Sequence, residues 1–280
     1  MMADAGLLSP EAERRLRRHT STHMTSRNRH RRKGQATEAP DVLDDASGAK
    51  LSEPVLAGEG GSDYERYLRT DALLSLQKGP EVWAHRDELL FQTVHQSSEL
   101  WLKLASVELE EATALVSAGD LPGALRLLRR ALDCLKIVTG ALDLLEHISP
   151  WDYQEVRVVL GHGSGFDSPG FRALGRVAPP LGAAFDAARA SAGLSLVELY
   201  TAARGQEALY QLAEGLIELD ERIVVWRVRH FVVVERIIGG SVVGTQGTPV
   251  EVLGRLIHKR FFPELWQLRN ELTALSLSRR

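Results

Sequence analysis

The chain has 280 residues, 34 basic against 37 acidic side chains, and a formal charge of −3 at pH 7. At 44% hydrophobic and 25% charged it carries enough apolar side chain for a sizeable core, which excludes a wholly disordered protein. Its longest apolar runs, such as Phe231–Val234, are far too short to cross a bilayer, and a lone Cys134 rules out an internal disulfide or a cysteine-cluster metal site.

Residues 1–40 hold nine arginines and lysines against four acidic residues, so a basic start precedes an acidic remainder. The His19–His30 stretch has no apolar period, and residues 34–62 are rich in Gly, Ala, Pro, Ser and Asp. Residues 1–62 therefore read as a mostly disordered basic tail and linker, too poor in apolar surface to offset the entropy of ordering. Charge alone, with no aromatic or fold motif beside it, does not make this tail a nucleic-acid arm. No apolar segment of signal-peptide type opens the chain, so cytoplasmic residence is expected.

From Asp63 the pattern turns helical. Apolar residues recur at three- and four-residue steps in Leu89–Val116, Leu125–Leu145, Leu194–Leu219, Leu219–Ile238 and Val250–Leu275. Breakers separate the runs: Gly79-Pro80, Gly119-Asp120, Ser149-Pro150, Gly161–Gly170, Pro179-Pro180 and Gly239–Pro249. Ser149-Pro150 before Trp151-Asp152-Tyr153 has the form of a helix start. Strand signals are thin. The expectation is an all-α helical bundle over residues 63–280, with function between facing helices or in the two glycine-rich loops.

Chemistry points first to histidine. His95 lies in a run where Phe91, His95 and Glu99 are four apart and share one helix face. His230 has Trp226 and Val234 one turn to either side. Taken alone, each histidine reads more readily as a partly buried, hydrogen-bonded core residue than as a ligand; His95 with Glu99 also has the spacing of half a helical metal site, but no Glu-x-x-His pair completes it. Tyr153 and Arg157 are also four apart, and a guanidinium fork beside a phenol suits a carboxylate. The loops Gly161–Gly170 and Gly239–Thr248 can bring backbone N–H groups close to an anion, yet neither is a Walker or dinucleotide loop.

Six motifs occur in order: Tyr64-x-x-Tyr67-Leu68-x-x-Asp71; Phe91-x-x-x-His95-Gln96-x-x-Glu99-Leu100-Trp101; Tyr153-x-x-x-Arg157 followed by Ser164-Gly165-Phe166; Trp226-Arg227-x-Arg229-His230; Gly244-Thr245-x-Gly247; and Phe261-Phe262-Pro263-Glu264-Leu265. The series resembles the tryptophan 2,3-dioxygenase family of histidine-ligated, heme-dependent aromatic oxygenases. The resemblance implies an all-helical, heme b-binding homotetramer, a dimer of dimers, that uses O2 to open the indole ring of L-tryptophan to N-formylkynurenine. By it, His230 would be the axial ligand of the heme iron. His95 would be the catalytic histidine facing the substrate indole N–H, and Phe91 the wall beside that ring. Arg157 and Tyr153 would hold the carboxylate, with Thr245 at the ammonium group or carboxylate. Ser164 and Gly165 would lie at the heme edge, and Tyr64, Tyr67 and Leu68 would complete a neighbouring subunit's pocket. Neither a membrane nor a nucleic acid is expected as a partner.

The chain also departs from the family pattern. The segment between Ser164 and His230 is short, and Gly240–Gly247 lacks the basic pair usual before Gly-Thr, which leaves the register of Thr245 open. Asp167 stands for the usual amide, His162 for a common proline, and Leu142 where a tryptophan occurs near the heme. Such trimming resembles the tryptophan-dioxygenase-like oxygenases of antibiotic pathways, such as that of the maremycin pathway. It keeps open a substituted substrate such as β-methyltryptophan and insertion of one oxygen to give a 2-oxindole. A non-catalytic heme sensor would keep His230 without needing Phe91, Tyr153 and Arg157.

Overall fold

The helical periods of the sequence become helices in the computed structural model, which describes residues 53–202 and 204–278. The first two are short. α1 (Asp63–Leu68) starts on a capping box between Ser62 and Glu65, and α2 (Thr70–Leu74) follows through Arg69, a non-glycine residue at φ 53°. Then come α3 (Asp87–Ala118), α4 (Leu121–Leu145), α5 (Asp152–Val159), a 3-10 turn (Gly165–Asp167) and α6 (Pro169–Ser191). The chain ends with α7 (Leu196–Thr201), α8 (Glu207–Ile238), α9 (Glu251–Leu256) and α10 (Pro263–Ser278). These ten helices of the described residues belong to one compact unit that begins at Leu56.

The bundle is built on α3, which packs against α4 and α6, while α4 packs on α8. Leu102, Leu109, Leu128, Leu135, Leu181, Leu212 and Leu216 are fully buried where these helices meet. Each such side chain stabilises the fold by roughly 1.5–3 kcal/mol. Buried Asp220 ties α8 to the start of α10: its carboxylate accepts from the backbone N–H groups of Phe261 and Phe262 and from the Trp266 indole at 2.6, 3.0 and 3.1 Å. A second, smaller cluster of Val94, Leu142, Leu145, Ile148, Val233 and Ile237 has Phe91, Tyr153 and Trp226 packed onto it. This apolar bed holds the flagged aromatic side chains in place.

Several sequence expectations change. Pro179-Pro180 does not break the chain: both lie inside α6. Each proline removes one helical N–H bond, and the burial of Val177, Ala178 and Leu181 on either side compensates. Leu194–Leu219 is not one run, since α7 ends at Thr201 and α8 starts at Glu207 and continues unbroken through Leu219. Val250–Leu275 divides at residues 257–262 into α9 and α10. The β-branched Val242-Val243 forms no strand; Val243 makes an isolated bridge with Pro249. No helix among the described residues is long and apolar enough to cross a membrane. Of the expected 1–62 tail, residues 1–52 lie outside the described residues, and residues 53–62 lead into α1 without helix.

Candidate active site

One cavity of about 630 Å³ gathers most of the flagged side chains. Phe91, His95 and Glu99 reach it from α3; Tyr153 and Arg157 from α5; and Trp226, His230, Val233 and Ile237 from α8. Ser164 and Gly165 come from the turn, and Thr245 from the loop after α8. A space of this size suits an organic ligand larger than a free amino acid.

On α3 the His95 ring lies 4.0 Å from the Phe91 ring, centroid to centroid, and its Nδ1 is 2.7 Å from the Phe91 carbonyl. A carbonyl only accepts, so Nδ1 carries the proton and Nε2 keeps a lone pair with no partner among the described residues. The ring opens onto the cavity, yet enough protein surrounds it for loss of solvation to lower its pKa; the Phe91 carbonyl and the Glu99 charge offset this in part. His95 therefore offers a hydrogen-bond acceptor at neutral pH. Phe91 also faces Tyr153, 6.1 Å away, and burial raises the Tyr153 phenol above its ordinary range against the opposing Arg157 charge.

His230 stacks almost parallel on Trp226, with centroids 4.9 Å apart and planes at 7°, and Phe171 packs against the same indole with centroids 3.9 Å apart. Burial pushes the His230 pKa down to about 4, helped by the nearby His95. Its imidazole is thus neutral at pH 7 and makes no hydrogen bond among the described residues, which is the state a metal requires.

Two loops close one side of the cavity. Arg157 Nη2 donates to the Val243 carbonyl at 2.6 Å, Thr245 Oγ1 donates to the Gly163 carbonyl, and Gln246 Nε2 donates to Asp167 Oδ2 at 2.6 Å. Asp167 Oδ2 also accepts from the Ser164 N–H at 3.2 Å. The departure at Asp167 therefore has a partner in Gln246, linking loops that the sequence separates by 79 residues.

These residues fit a flat, largely apolar group ligated by one imidazole. Leu145, Ile148, Val233, Val234 and Ile237 line the cavity with hydrocarbon. A Cβ built on Gly165 would stand 4.0 Å from Cε1 and Nε2 of His230, so a longer side chain there would fill the space over the imidazole. The Trp226 indole nitrogen is buried in the same wall without a partner.

Some flagged residues stand elsewhere. Tyr64, Tyr67 and Leu68 do not line the cavity; they are 68, 78 and 45% exposed on α1. His162 is exposed and does not line the cavity. The His95–Glu99 metal half-site finds no further ligands, because both Glu99 oxygens already accept hydrogen bonds from Ser168 and Gly170. Among the described residues, one group of three potential metal ligands is close enough to share an ion: His85, Asp87 and Asp152, outside the cavity lining. Sequence reading also passed over Phe171 and Arg172, which line the cavity from α6 and carry no spacing signal.

The two cavity-facing imidazoles make stability depend on pH. Both have folded pKa values below the ordinary histidine value, so the unfolded chain takes up protons first as pH falls. Their stabilising effect is complete above pH 6.5 and is lost as pH falls toward the folded value of about 4 for His230. The melting temperature of the ligand-free protein should fall across this window, with His230 responsible for at most about 3 kcal/mol. A His230→Gln chain should show a visibly shallower decline; an unchanged slope would remove His230 from this role.

A family model for tryptophan 2,3-dioxygenase matches residues 50–178. The chain is 35% identical over 263 residues to a tryptophan 2,3-dioxygenase of Caulobacter vibrioides, covering 75% of this chain and 98% of that one. It is 33% identical over 260 residues to the enzyme of the same name from Bacillus cereus (75% and 92% covered), and 34% identical over 260 residues to that of a Polaromonas species (75% and 87%). With its all-helical fold and this coverage by relatives, the chain belongs to the tryptophan 2,3-dioxygenase family and is a heme-dependent oxygenase.

Proposed function

We propose that the protein binds heme b through His230 and uses O2 to cleave the C2–C3 bond of the L-tryptophan indole, giving N-formylkynurenine. The observation that carries this reading is the convergence of His230, His95 with Phe91, and Tyr153 with Arg157 on one cavity. The family relatives, all named tryptophan 2,3-dioxygenase, support it. His230, Ser164 and Gly165 would hold the heme, which when bound supplies activation of O2.

The chain's own residues bind and orient the substrate. The unprotonated Nε2 of His95 accepts from the indole N–H, and the Phe91 ring lies against the indole face. The Arg157 fork, with the Tyr153 hydroxyl, takes the carboxylate by charge-assisted bonds. Thr245 lies on the loop that Arg157 holds through Val243, so the group gripping the carboxylate also fixes the loop facing the ammonium group. Holding the indole in one orientation is what the protein contributes to the rate. The exposed Tyr64, Tyr67 and Leu68 serve a neighbouring copy's cavity in a homotetramer, and the chain works in the cytoplasm.

The mass of the product formed from L-tryptophan under 18O2 tests the reaction. Two labelled atoms in the product are expected. One labelled atom would replace ring cleavage with oxindole formation, the second reading that the short Ser164–His230 segment and the other departures from the family pattern keep open, on tryptophan or a β-methyl derivative. No turnover, with heme bound, would leave a heme sensor.

A further inference from the structure

Glu99 lines the cavity one turn beyond His95, yet none of the proposed substrate or heme contacts uses it. Its Oε1 accepts from the Ser168 hydroxyl at 2.5 Å, and its Oε2 accepts from the Gly170 N–H at 2.8 Å. Those two residues form the joint between the Gly165–Asp167 turn and α6, about seventy residues away along the chain. Ser168 also caps α6 by accepting from the Phe171 N–H at 3.2 Å, so its hydroxyl is fixed from both sides.

The approach of α6 to α3 at this point is close enough to require glycine. A Cβ on Gly170 would come within 2.5 Å of Leu102 Cβ and 2.7 Å of Glu99 Oε2. Leu102 belongs to the rigid core and cannot yield. The carboxylate therefore fills a prepared notch, at the N-terminal end of a 23-residue helix, where free N–H groups and the helix dipole favour a negative charge. The segment it fastens is the cavity rim itself: Ser164, Gly165, Phe166, Asp167, Ser168 and Pro169 all face the cavity.

We infer that Glu99 is a positioning residue, pinning the Ser164–Pro169 rim to the helix that carries Phe91 and His95 and so setting the spacing between the substrate-facing wall and the rim. This rests on the proposed function only for what the spacing serves. Glu99→Gln can keep both bonds, its amide oxygen accepting from Gly170 and its amide nitrogen donating to Ser168 Oγ; Glu99→Ala keeps neither, and Ser168→Ala removes one.

Amide hydrogen exchange on the full chain, alongside KM and kcat for L-tryptophan in the heme-loaded enzyme, tests this. In Glu99→Ala, exchange at residues 163–170 should rise about tenfold while the α4 and α8 core amides keep wild-type protection. KM should rise about tenfold with kcat within about threefold, as loss of substrate positioning requires. Ser168→Ala should fall between, and Glu99→Gln should keep exchange within about threefold of wild type. Unchanged exchange at 163–170 in Glu99→Ala would overturn the inference. So would loss of protection spread over every helix, or a glutamine variant as damaged as the alanine one. A wild-type chain without heme or turnover would overturn the proposed function instead, and the exchange comparison would still decide the role of Glu99.

Discussion

His230→Ala should give a folded protein that no longer retains heme and has no oxygenase activity above background. The imidazole is neutral because loss of solvation holds its pKa near 4, and neither of its nitrogens is hydrogen-bonded among the described residues. Neither property has a use in a core histidine, whereas both are what an axial ligand needs. One metal–ligand bond of a few kcal/mol corresponds to a loss of affinity of about a hundredfold to a thousandfold. The stacked Trp226 and the Val233–Ile237 bed remain in the variant, so its helical content should persist. A His230→Ala chain that bound heme with wild-type affinity would show that the ligand is another residue.

Arg157→Ala should leave heme content unchanged and lower kcat/KM for L-tryptophan about a hundredfold, chiefly through KM. Removing one partner of a buried, hydrogen-bonded charge pair costs about 3 kcal/mol. A second effect adds to this. Arg157 holds the Val243 carbonyl, and that loop carries Thr245, so the alanine variant frees the loop as it deletes the fork. Arg157→Lys should recover only part of the loss, because a point charge cannot serve the carboxylate bidentately and hold the loop together. Heme titration and steady-state kinetics on the same preparations check both points; loss of heme in Arg157→Ala would place this residue at the heme instead.

The helices were legible because their apolar stripes repeat over many turns, as in α3 and α4, where the period outweighs any single residue. Local punctuation was less informative. Pro179-Pro180 has the form of a break, and the packing of Val177, Ala178 and Leu181 overrides it. In the site, pairs four residues apart were readable on one helix: Phe91 with His95, and Tyr153 with Arg157, do face the same cavity. Contacts between distant segments were not. Gln246 with Asp167, Arg157 with Val243 and Glu99 with Gly170 span 79, 86 and 71 residues, and no local period encodes them. Tyr64, Tyr67 and Leu68 show a further limit: their expected place in a neighbouring subunit's pocket came from the family resemblance and from no period of their own, and α1 leaves them exposed.

Imidazole rescue decides which histidine carries the heme. Ferrous, heme-reconstituted His230→Gly and His95→Gly chains should be compared by absorption spectroscopy with and without added imidazole. His95→Gly should keep the wild-type Soret band; His230→Gly should lose it and regain it when imidazole enters the vacated space. A His230→Gly protein with an unaltered Soret band, or rescue confined to His95→Gly, would contradict ligation from α8 and the substrate position opposite it.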